Sequence, residues 1–370
     1  MNTKTKTKQQ ITFMQYVFLI HGMQVGIGFL TLPRELSLIA GTDGWISIII
    51  GWLSAVIASI FIIQIMKKHP DATLPDLFKI YFGTWIGKLG TMFVVLYFMS
   101  VSFLILFSAL TIIKVWLLPK TPLVILTVLI LIPTYQLIRY GIRSLGRYAE
   151  IIFYISIWMI VVLTIPLNDS HWHYLRPVLK EGWYPVLLGV RTTIFSYLGF
   201  EIAFWMYPYL KSKQLATRGI ILANTLTMTI NLIVTIVCFV FFSQQEIVKY
   251  NWPTLSLLKV IEPNFLNRWD VIFLSSYVLI ISVTWIISIF IVIQNTSNLI
   301  GNPKLEPYLL IIFIVLLITA AAFIVWTQSR LTRLTDMLTS CGLILSYAFP
   351  VVLWMYTTLF DRIFPRRTSS

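Results

Sequence analysis

The feature that most constrains this chain is a series of long apolar segments that are almost free of charged residues. We count ten segments, each long enough to cross about 30 Å of hydrocarbon at about 1.5 Å per residue. They cover approximately residues 11–38, 43–66, 85–117, 121–139, 147–166, 184–208, 217–243, 269–299, 306–327 and 335–360. Backbone groups in hydrocarbon must be hydrogen-bonded within the protein, so such segments fold as helices. The sequence therefore predicts an all-α integral membrane protein with ten transmembrane helices.

The composition agrees with a membrane protein that forms a single transmembrane domain over residues 1–370. Of these residues, 58% are hydrophobic and 11% are charged, whereas soluble domains have about 25% charged residues. The two cysteines, Cys238 and Cys341, lie within apolar segments, and the four histidines are scattered. We expect no disulfide and no metal site. No nucleotide-binding loop or set of nucleophile, base and acid is found, so we expect neither a cofactor nor an enzymatic activity.

The distribution of basic residues predicts the orientation. The chain has 28 Lys and Arg against 14 Asp and Glu, a net charge of +14. With a cytoplasmic N-terminus, 17 of the 28 fall in inner segments and nine in outer segments. This bias follows the positive-inside rule and places both termini in the cytoplasm. It accounts for the positive charge without nucleic-acid binding.

Two outer connections, residues 167–183 and 244–268, are long and rich in aromatic residues. The second contains the sequence NWPTLSLLKVIEPN, which is compatible with short surface helices. Such loops serve either as lids over a binding site or as structural caps, and the sequence leaves both interpretations open.

Two apolar segments contain residues that disfavour a continuous helix. Three glycines fall within residues 22–28, and each costs about 1 kcal/mol relative to alanine in a helix. Gly22 and Gly26 also form a G-x-x-x-G pair, which is typical of close helix packing. Gly199 and Glu201 lie near the centre of the sixth segment, where a glutamate is costly unless it faces protein, water or a partner. We predict that both helices are broken.

The two predicted breaks occupy matching positions. One lies in the first of five segments, about residues 11–166, and the other in the first of the next five, about residues 184–360. An odd number of spans in each half gives the halves opposite orientations. The pattern predicts a 5+5 inverted repeat whose broken helices meet at mid-membrane. There, free N–H and C=O groups bind a small polar ligand.

Five motifs also resemble, in order and spacing, the B-subunit of GerA-type spore germination nutrient receptors. They are GIGFLTLPRE, LRPVLKEGW, SYLGFE, WPTLSLLK and NRWDVIF. The resemblance implies the LeuT-like fold of the amino acid/polyamine/organocation superfamily. It also implies a germinant sensor of the spore inner membrane, whose ligand is an amino acid, a sugar or a nucleoside. A membrane A-subunit and a lipoprotein C-subunit are the partners that it implies.

The resemblance assigns two unwound segments to this chain. They are Gly26, Ile27 and Gly28 in span one, and Ser196, Tyr197, Leu198 and Gly199 in span six. Ile27 stands where family members often have a small residue, and Tyr197 adds bulk. The pocket therefore differs from that of relatives, and the ligand is not transferred from them.

Spans three and eight flank the breaks in this fold and supply further candidate ligand-binding residues. Tyr97, Ser100 and Val101 lie about one turn apart, and Thr284 and Ser288 share a helix face at i, i+4. Tyr97 either binds a ligand carboxylate or packs between helices. Thr284 and Ser288 line the pocket, coordinate a cation together with backbone carbonyls of span one, or bond to the preceding carbonyls of their own helix.

For each of four charged or titratable residues, the sequence leaves two roles open. Glu201 is a proton-titrating switch or, as we favour, a cap of the following half-helix. His21 is a proton site or a satisfied polar group between helices. Arg34 and Arg191 form an outer gate or extend to the membrane interface.

The leading hypothesis from the sequence is a germinant-sensing receptor subunit. The alternative is an amino acid transporter coupled to H⁺ or Na⁺. Few intramembrane acids and the lack of a mid-membrane lysine in span five favour sensing. A third hypothesis, a structural scaffold, predicts no ligand.

Overall fold

The structure is a computed structural model that describes residues 9–258 and 269–363. In these residues the chain is helical, and extended pairing is limited to an isolated bridge between Ile11 and Leu210. We number the α-helices α1 to α15. They are α1 Phe13–Gln24, α2 Gly28–Ala40, α3 Gly44–Lys68, α4 Leu74–Trp116, α5 Leu123–Arg139, α6 Ile142–Leu163, α7 Trp183–Tyr197, α8 Ala203–Met206, α9 Ala216–Phe241, α10 Gln244–Ile247, α11 Pro253–Leu258, α12 Trp269–Ile300, α13 Glu306–Phe323, α14 Gln328–Gly342 and α15 Phe349–Ile363.

Each of the ten predicted apolar segments is helical in the described residues. By length and composition, seven helical stretches qualify as membrane spans, and a bent pair makes eight. Helix α5 is shorter, with 17 residues. The prediction of an all-α membrane protein is confirmed, whereas the count of ten, the repeat boundaries and the orientation stay predictions.

Helix α4 begins earlier than the sequence predicted. It starts at Leu74 rather than at residue 85, because a short helical stretch precedes a kink at Gly83. Gly83 has a φ of 80°, a value that glycine adopts at little cost. Among the described residues, no atom beyond the local backbone lies within 4 Å of the position that a Cβ would occupy there. The kink therefore depends on the backbone freedom of glycine and not on close packing.

Helices α4 and α12 pack along each other at the centre of the bundle. Among the seven apolar stretches, α12 has the largest share of buried residues, whereas α6 and α13 have the smallest. Large aromatic side chains fill the interior, among them Trp205, Trp285 and Tyr277. Lipid is as apolar as these side chains, so packing and polar contacts hold such helices together. One group of polar contacts surrounds the two helix breaks.

The described part of the second long connection is partly buried in the bundle. Helix α11 lies within it, and Leu257 is fully buried. Thr254 donates a hydrogen bond to the carbonyl oxygen of Phe29 in α2 at 3.1 Å. The prediction of surface helices is wrong for α11, because its leucines pack into the bundle. Residues 259–268, which include part of the motif NRWDVIF and of NWPTLSLLKVIEPN, lie outside the described residues.

Candidate ligand-binding site

The first break separates α1 from α2 over residues 25–27. Val25 leaves the helical conformation with φ −77° and ψ 79°. The N–H of Gly26 then donates to the carbonyl oxygen of Gln24 at 2.8 Å. In a continuous helix it would donate to Gly22. The break thus frees carbonyl groups inside the bundle, as the sequence predicted.

Helix α12 supplies donors to these free carbonyl groups. The hydroxyl of Thr284 donates to Gly22 at 3.1 Å, and the hydroxyl of Tyr277 donates to Gly26 at 3.0 Å. An unsatisfied carbonyl in hydrocarbon costs several kcal/mol. These two side chains therefore stabilise the break.

The second break lies between α7 and α8, whose flanking segments are bent by 46°. Gly199 has a φ of 127°, which side chains with a Cβ rarely adopt. A Cβ at this position would lie 2.9 Å from the backbone nitrogen of Gln24 and 2.9 Å from the carbonyl carbon of Met23. Glycine is required here because the chain turns sharply while it touches the first break.

Gln24 joins the two breaks through its side-chain amide, which is 3% exposed. Its Nε2 donates to the carbonyl oxygen of Tyr197 at 3.0 Å and to Oδ1 of Asn224 at 2.7 Å. Its Oε1 accepts a hydrogen bond from Thr227 at 2.7 Å. The Thr227 hydroxyl also lies 2.8 Å from Nδ1 of His21. This agrees with the interpretation of His21 as a satisfied polar group between helices.

A small cavity of about 40 Å³ lies between the breaks. Eight of the thirteen predicted ligand-binding residues line it: Gly26, Gly28, Tyr97, Val101, Leu198, Gly199, Glu201 and Thr284. Six further residues that the sequence did not single out complete the wall: Met23, Gln24, Leu104, Ile105, Phe195 and Leu338. We call this space the central cavity. Its size suits a few non-hydrogen atoms, since a water molecule needs about 10–15 Å³ on this scale.

Three of the other predicted residues direct their hydroxyl groups elsewhere. Ser100 donates to the carbonyl oxygen of Leu96 at 2.9 Å, and Ser288 donates to Thr284 at 2.7 Å. Both bonds lie within their own helices, which was the alternative interpretation for Ser288. The hydroxyl of Tyr197 donates to the carbonyl oxygen of Ile48 at 2.9 Å, away from the central cavity.

The remaining two predicted residues lie next to the central cavity but not on its wall. Ser196 packs beneath Gly28, where a Cβ would approach its Oγ to 2.5 Å. Ile27 borders a larger neighbouring cavity. Ligand binding by any of the thirteen residues stays a prediction.

Glu201 is 1% exposed and contributes a carboxylate to the central cavity. It accepts a hydrogen bond from the N–H of Gly199 at 2.7 Å. The Tyr97 hydroxyl also interacts with this carboxylate. Glu201 therefore caps the second break, as favoured from the sequence, while it also faces the cavity.

The larger cavity, about 550 Å³, lies between α2, α7 and α14, and we call it the vestibule. Arg34 and Arg191 both line it. Nε of Arg34 donates to the carbonyl oxygen of Val248 at 3.0 Å, which links α2 to the long connection after α10. Phe195 lines both cavities.

Replacing Phe195 with alanine is expected to open the central cavity to the vestibule. In a Cys341→Ser background, a cysteine at Val101 then reacts about tenfold faster with a water-soluble methanethiosulfonate, because the aromatic barrier is gone. A tenfold change corresponds to about 1.4 kcal/mol. Phe195→Leu serves as the matched variant and gives a smaller increase. Equal reaction rates with and without the Phe195→Ala substitution would contradict a barrier at this position.

The helical bundle and the paired breaks define a membrane protein with a transporter-type fold. The structure resembles a substrate-bound, outward-open Na⁺-coupled sialic acid symporter with a TM-score of 0.68. The alignment covers 92% of this chain and 78% of the symporter chain at 13% identity. This likeness confirms the predicted transporter-type fold, and at such identity it shows the fold alone.

Residues 10–328 match the spore germination protein family, and the chain belongs to that family. It is 29% identical over 305 residues to spore germination protein YndE of Bacillus subtilis (strain 168), with 80% of this chain and 83% of that protein covered. It is 23% identical over 355 residues to spore germination protein GerQB of Bacillus cereus, with coverages of 94% and 96%. The family predicted from the five motifs is confirmed.

Proposed function

We propose that this chain is the germinant-sensing membrane subunit of a spore germination receptor. The observation that supports it best is the contact of two broken helices around a cavity in a member of the spore germination protein family. The cavity wall combines backbone of both breaks with the carboxylate of Glu201. A small polar nutrient that binds there contacts both halves of the protein.

The charges around the central cavity favour a small amino acid as the nutrient. Helix α2 begins at Gly28 on the cavity wall, and the first N–H groups of a helix have no partner within it. This positive end attracts a carboxylate. At the second break, Glu201 already accepts from Gly199 and attracts an ammonium group. A zwitterion of few atoms satisfies both ends.

Sensing requires that the nutrient binds two arrangements of the bundle with different affinity. The Gln24 contacts with Tyr197 and Asn224 connect the central cavity to both breaks and to α9. Closure around a ligand shifts these contacts and changes the outer surface of the bundle. The proposed recipients of this change are a membrane A-subunit and a lipoprotein C-subunit in the spore inner membrane, with both termini on the core side.

The alternative function is an amino acid transporter coupled to H⁺ or Na⁺. It is favoured by the fold that this chain shares with a Na⁺-coupled symporter. Thr284, however, donates directly to the Gly22 carbonyl. The Gly22 carbonyl is therefore satisfied without a cation. We expect proteoliposomes that contain this chain alone to bind labelled L-alanine without accumulating it. Saturable accumulation driven by a Na⁺ or H⁺ gradient would contradict sensing and establish transport.

The proposal predicts that Glu201→Gln raises the half-maximal nutrient concentration for germination at least tenfold. Glutamine keeps an acceptor for the Gly199 N–H but loses the charge that attracts an ammonium group. A hydrogen bond to a charged group contributes about 1.5–3 kcal/mol, and about 1.4 kcal/mol is tenfold. The measurement is a nutrient dose curve in spores that carry each variant in place of the native gene, at matched protein level.

Tyr97→Phe is the second test variant, since its hydroxyl interacts with Glu201. Its matched control is Tyr154→Phe on α6, where the side chain is 56% exposed on the outside of the bundle. Dose curves that remain unchanged for Glu201→Gln and Tyr97→Phe alike would refute the central cavity as the nutrient site.

A further inference from the structure

A polar stripe on α14 is unusual for a helix within a membrane bundle. Its members recur at intervals of three and four residues and therefore share one face. They are Gln328, Thr332, Thr335, Asp336, Thr339 and Ser340, and all six line the vestibule. Acidic and polar side chains at membrane depth are costly unless they face water, protein or a ligand. The stripe therefore marks a polar, ligand-accessible wall.

This wall presents hydrogen-bond acceptors. The hydroxyl groups of Thr332, Thr335 and Thr339 each donate to the carbonyl oxygen four residues earlier, at 3.0, 3.0 and 2.8 Å. With their protons committed to the helix, the oxygen lone pairs remain for the cavity. Asp336, which is exposed, adds a carboxylate. The α14 wall is thus suited to a cationic donor such as an ammonium group.

Two other helices bring an excess of positive charge to the vestibule. Helices α2 and α7 contribute Arg34, Glu35 and Arg191 to the vestibule. The net formal charge of these three residues is +1, whereas Asp336 on α14 has a charge of −1. The Nε of Arg34 donates a hydrogen bond to the carbonyl oxygen of Val248, whereas Arg191 is exposed. A guanidinium binds a carboxylate in a bidentate manner, so Arg191 suits the anionic end of a ligand.

The vestibule is also large and partly apolar. Its volume of about 550 Å³ falls within the range of about 300–1,000 Å³ typical of small-molecule sites. Phe195, Trp252 and Ile112 are among the apolar residues of its lining. The central cavity of about 40 Å³ has no room for a bulky side chain.

We propose that the vestibule is a second binding site, separate from the central cavity, for a zwitterionic solute with a large apolar side chain. Asp336 and the threonine oxygens of α14 bind its ammonium group. Arg191 binds its carboxylate, and the aromatic residues pack on its side chain. The site does not depend on the proposed nutrient site, because its charged residues are different.

The probe is L-phenylalanine, with two analogues that each lack one charge. Phenethylamine keeps only the ammonium group, and 3-phenylpropionate keeps only the carboxylate. Equilibrium binding of each labelled compound is measured on the purified full chain in lipid nanodiscs. Asp336→Asn and Arg191→Gln are each expected to weaken L-phenylalanine binding about tenfold or more, because each substitution removes a hydrogen bond between charged groups.

The analogues separate direct contacts from damage to the fold. Phenethylamine binding is expected to respond to Asp336→Asn and not to Arg191→Gln, and 3-phenylpropionate shows the reverse. Arg333→Gln is the control, since it removes a charge from α14 at a position outside the vestibule wall. If both analogues lose affinity equally in both variants, or if L-phenylalanine does not bind saturably, the proposal is overturned.

Location is tested by chemical protection. In a Cys341→Ser background, a cysteine at Thr335 is labelled by a membrane-impermeant maleimide, and L-phenylalanine is expected to slow this labelling about tenfold at saturation. L-phenylalanine that binds saturably but leaves the labelling rate unchanged would place its site elsewhere. Protection by D-glucose instead of L-phenylalanine would overturn the zwitterionic ligand class.

Discussion

Replacing Gly199 with alanine is expected to remove most of the folded protein from the membrane. Its φ of 127° strains any residue with a Cβ, at a cost of about 1–3 kcal/mol. The added Cβ would also lie 2.9 Å from backbone atoms of Met23 and Gln24. A backbone contact is not relieved by side-chain rotation, and overpacking costs about another 1–3 kcal/mol. Together these terms are a large fraction of a typical stability of about 5–15 kcal/mol.

The measurement is the thermal stability and the amount of the variant in membranes, with a second glycine as control. Gly26 has no positive φ, and the nearest atom to an added Cβ is Cδ1 of Ile105 at 3.4 Å. Gly26→Ala is therefore expected to stay within about 1 kcal/mol of the native protein. Similar losses for the two variants would show that the second break does not require glycine.

The positions of the breaks were predictable because glycine is favoured where the backbone leaves the helical conformation. The structure places the breaks at residues 25–27 and around Gly199, within the segments that the sequence indicated. Gly22 has a different role. It lies inside α1, and a Cβ there would lie 2.7 Å from Cγ1 of Val283 in α12. The packing interpretation thus holds for Gly22, and the unwinding interpretation holds for Gly26.

The wall of the central cavity was less predictable, because it depends on how each helix is rotated. Tyr97 and Ser100 lie one turn apart on α4, yet only Tyr97 lines the cavity. On α12, Thr284 likewise lines the cavity, whereas Ser288 does not. Helical spacing identifies a shared face, but it does not specify which edge of that face a neighbouring helix covers.

Gln24 was missed because its partners are about two hundred residues away in the sequence. It precedes the break and looks like an ordinary residue of an apolar helix. The available signal was its amide, since an uncharged polar side chain in an apolar segment also needs a partner. Asn224 and Thr227 carried the same signal on α9, at a spacing that puts them on one face.

Replacing Gln24 with leucine is expected to destabilise the protein by about 2–4 kcal/mol. The substitution removes three hydrogen bonds and leaves the Tyr197 carbonyl and the side chains of Asn224 and Thr227 without this partner. Hydrogen bonds between membrane helices contribute about 0.6 kcal/mol on average and up to about 1.7 kcal/mol. Leucine has nearly the same volume, so the loss reflects polar contacts rather than a cavity.

A double-mutant cycle with Asn224→Leu isolates this contact. The Nε2–Oδ1 distance of 2.7 Å predicts that the double variant loses less stability than the sum of the single variants, by about 0.5–3 kcal/mol. Thr229→Val replaces Asn224→Leu in the control cycle, because Thr229 lies on the same helix and bonds to Thr225. Additive losses in the first cycle would show that Gln24 does not couple the first break to α9. Coupling there, with additivity in the control, would identify the amide as the link through which occupancy of the central cavity reaches α9.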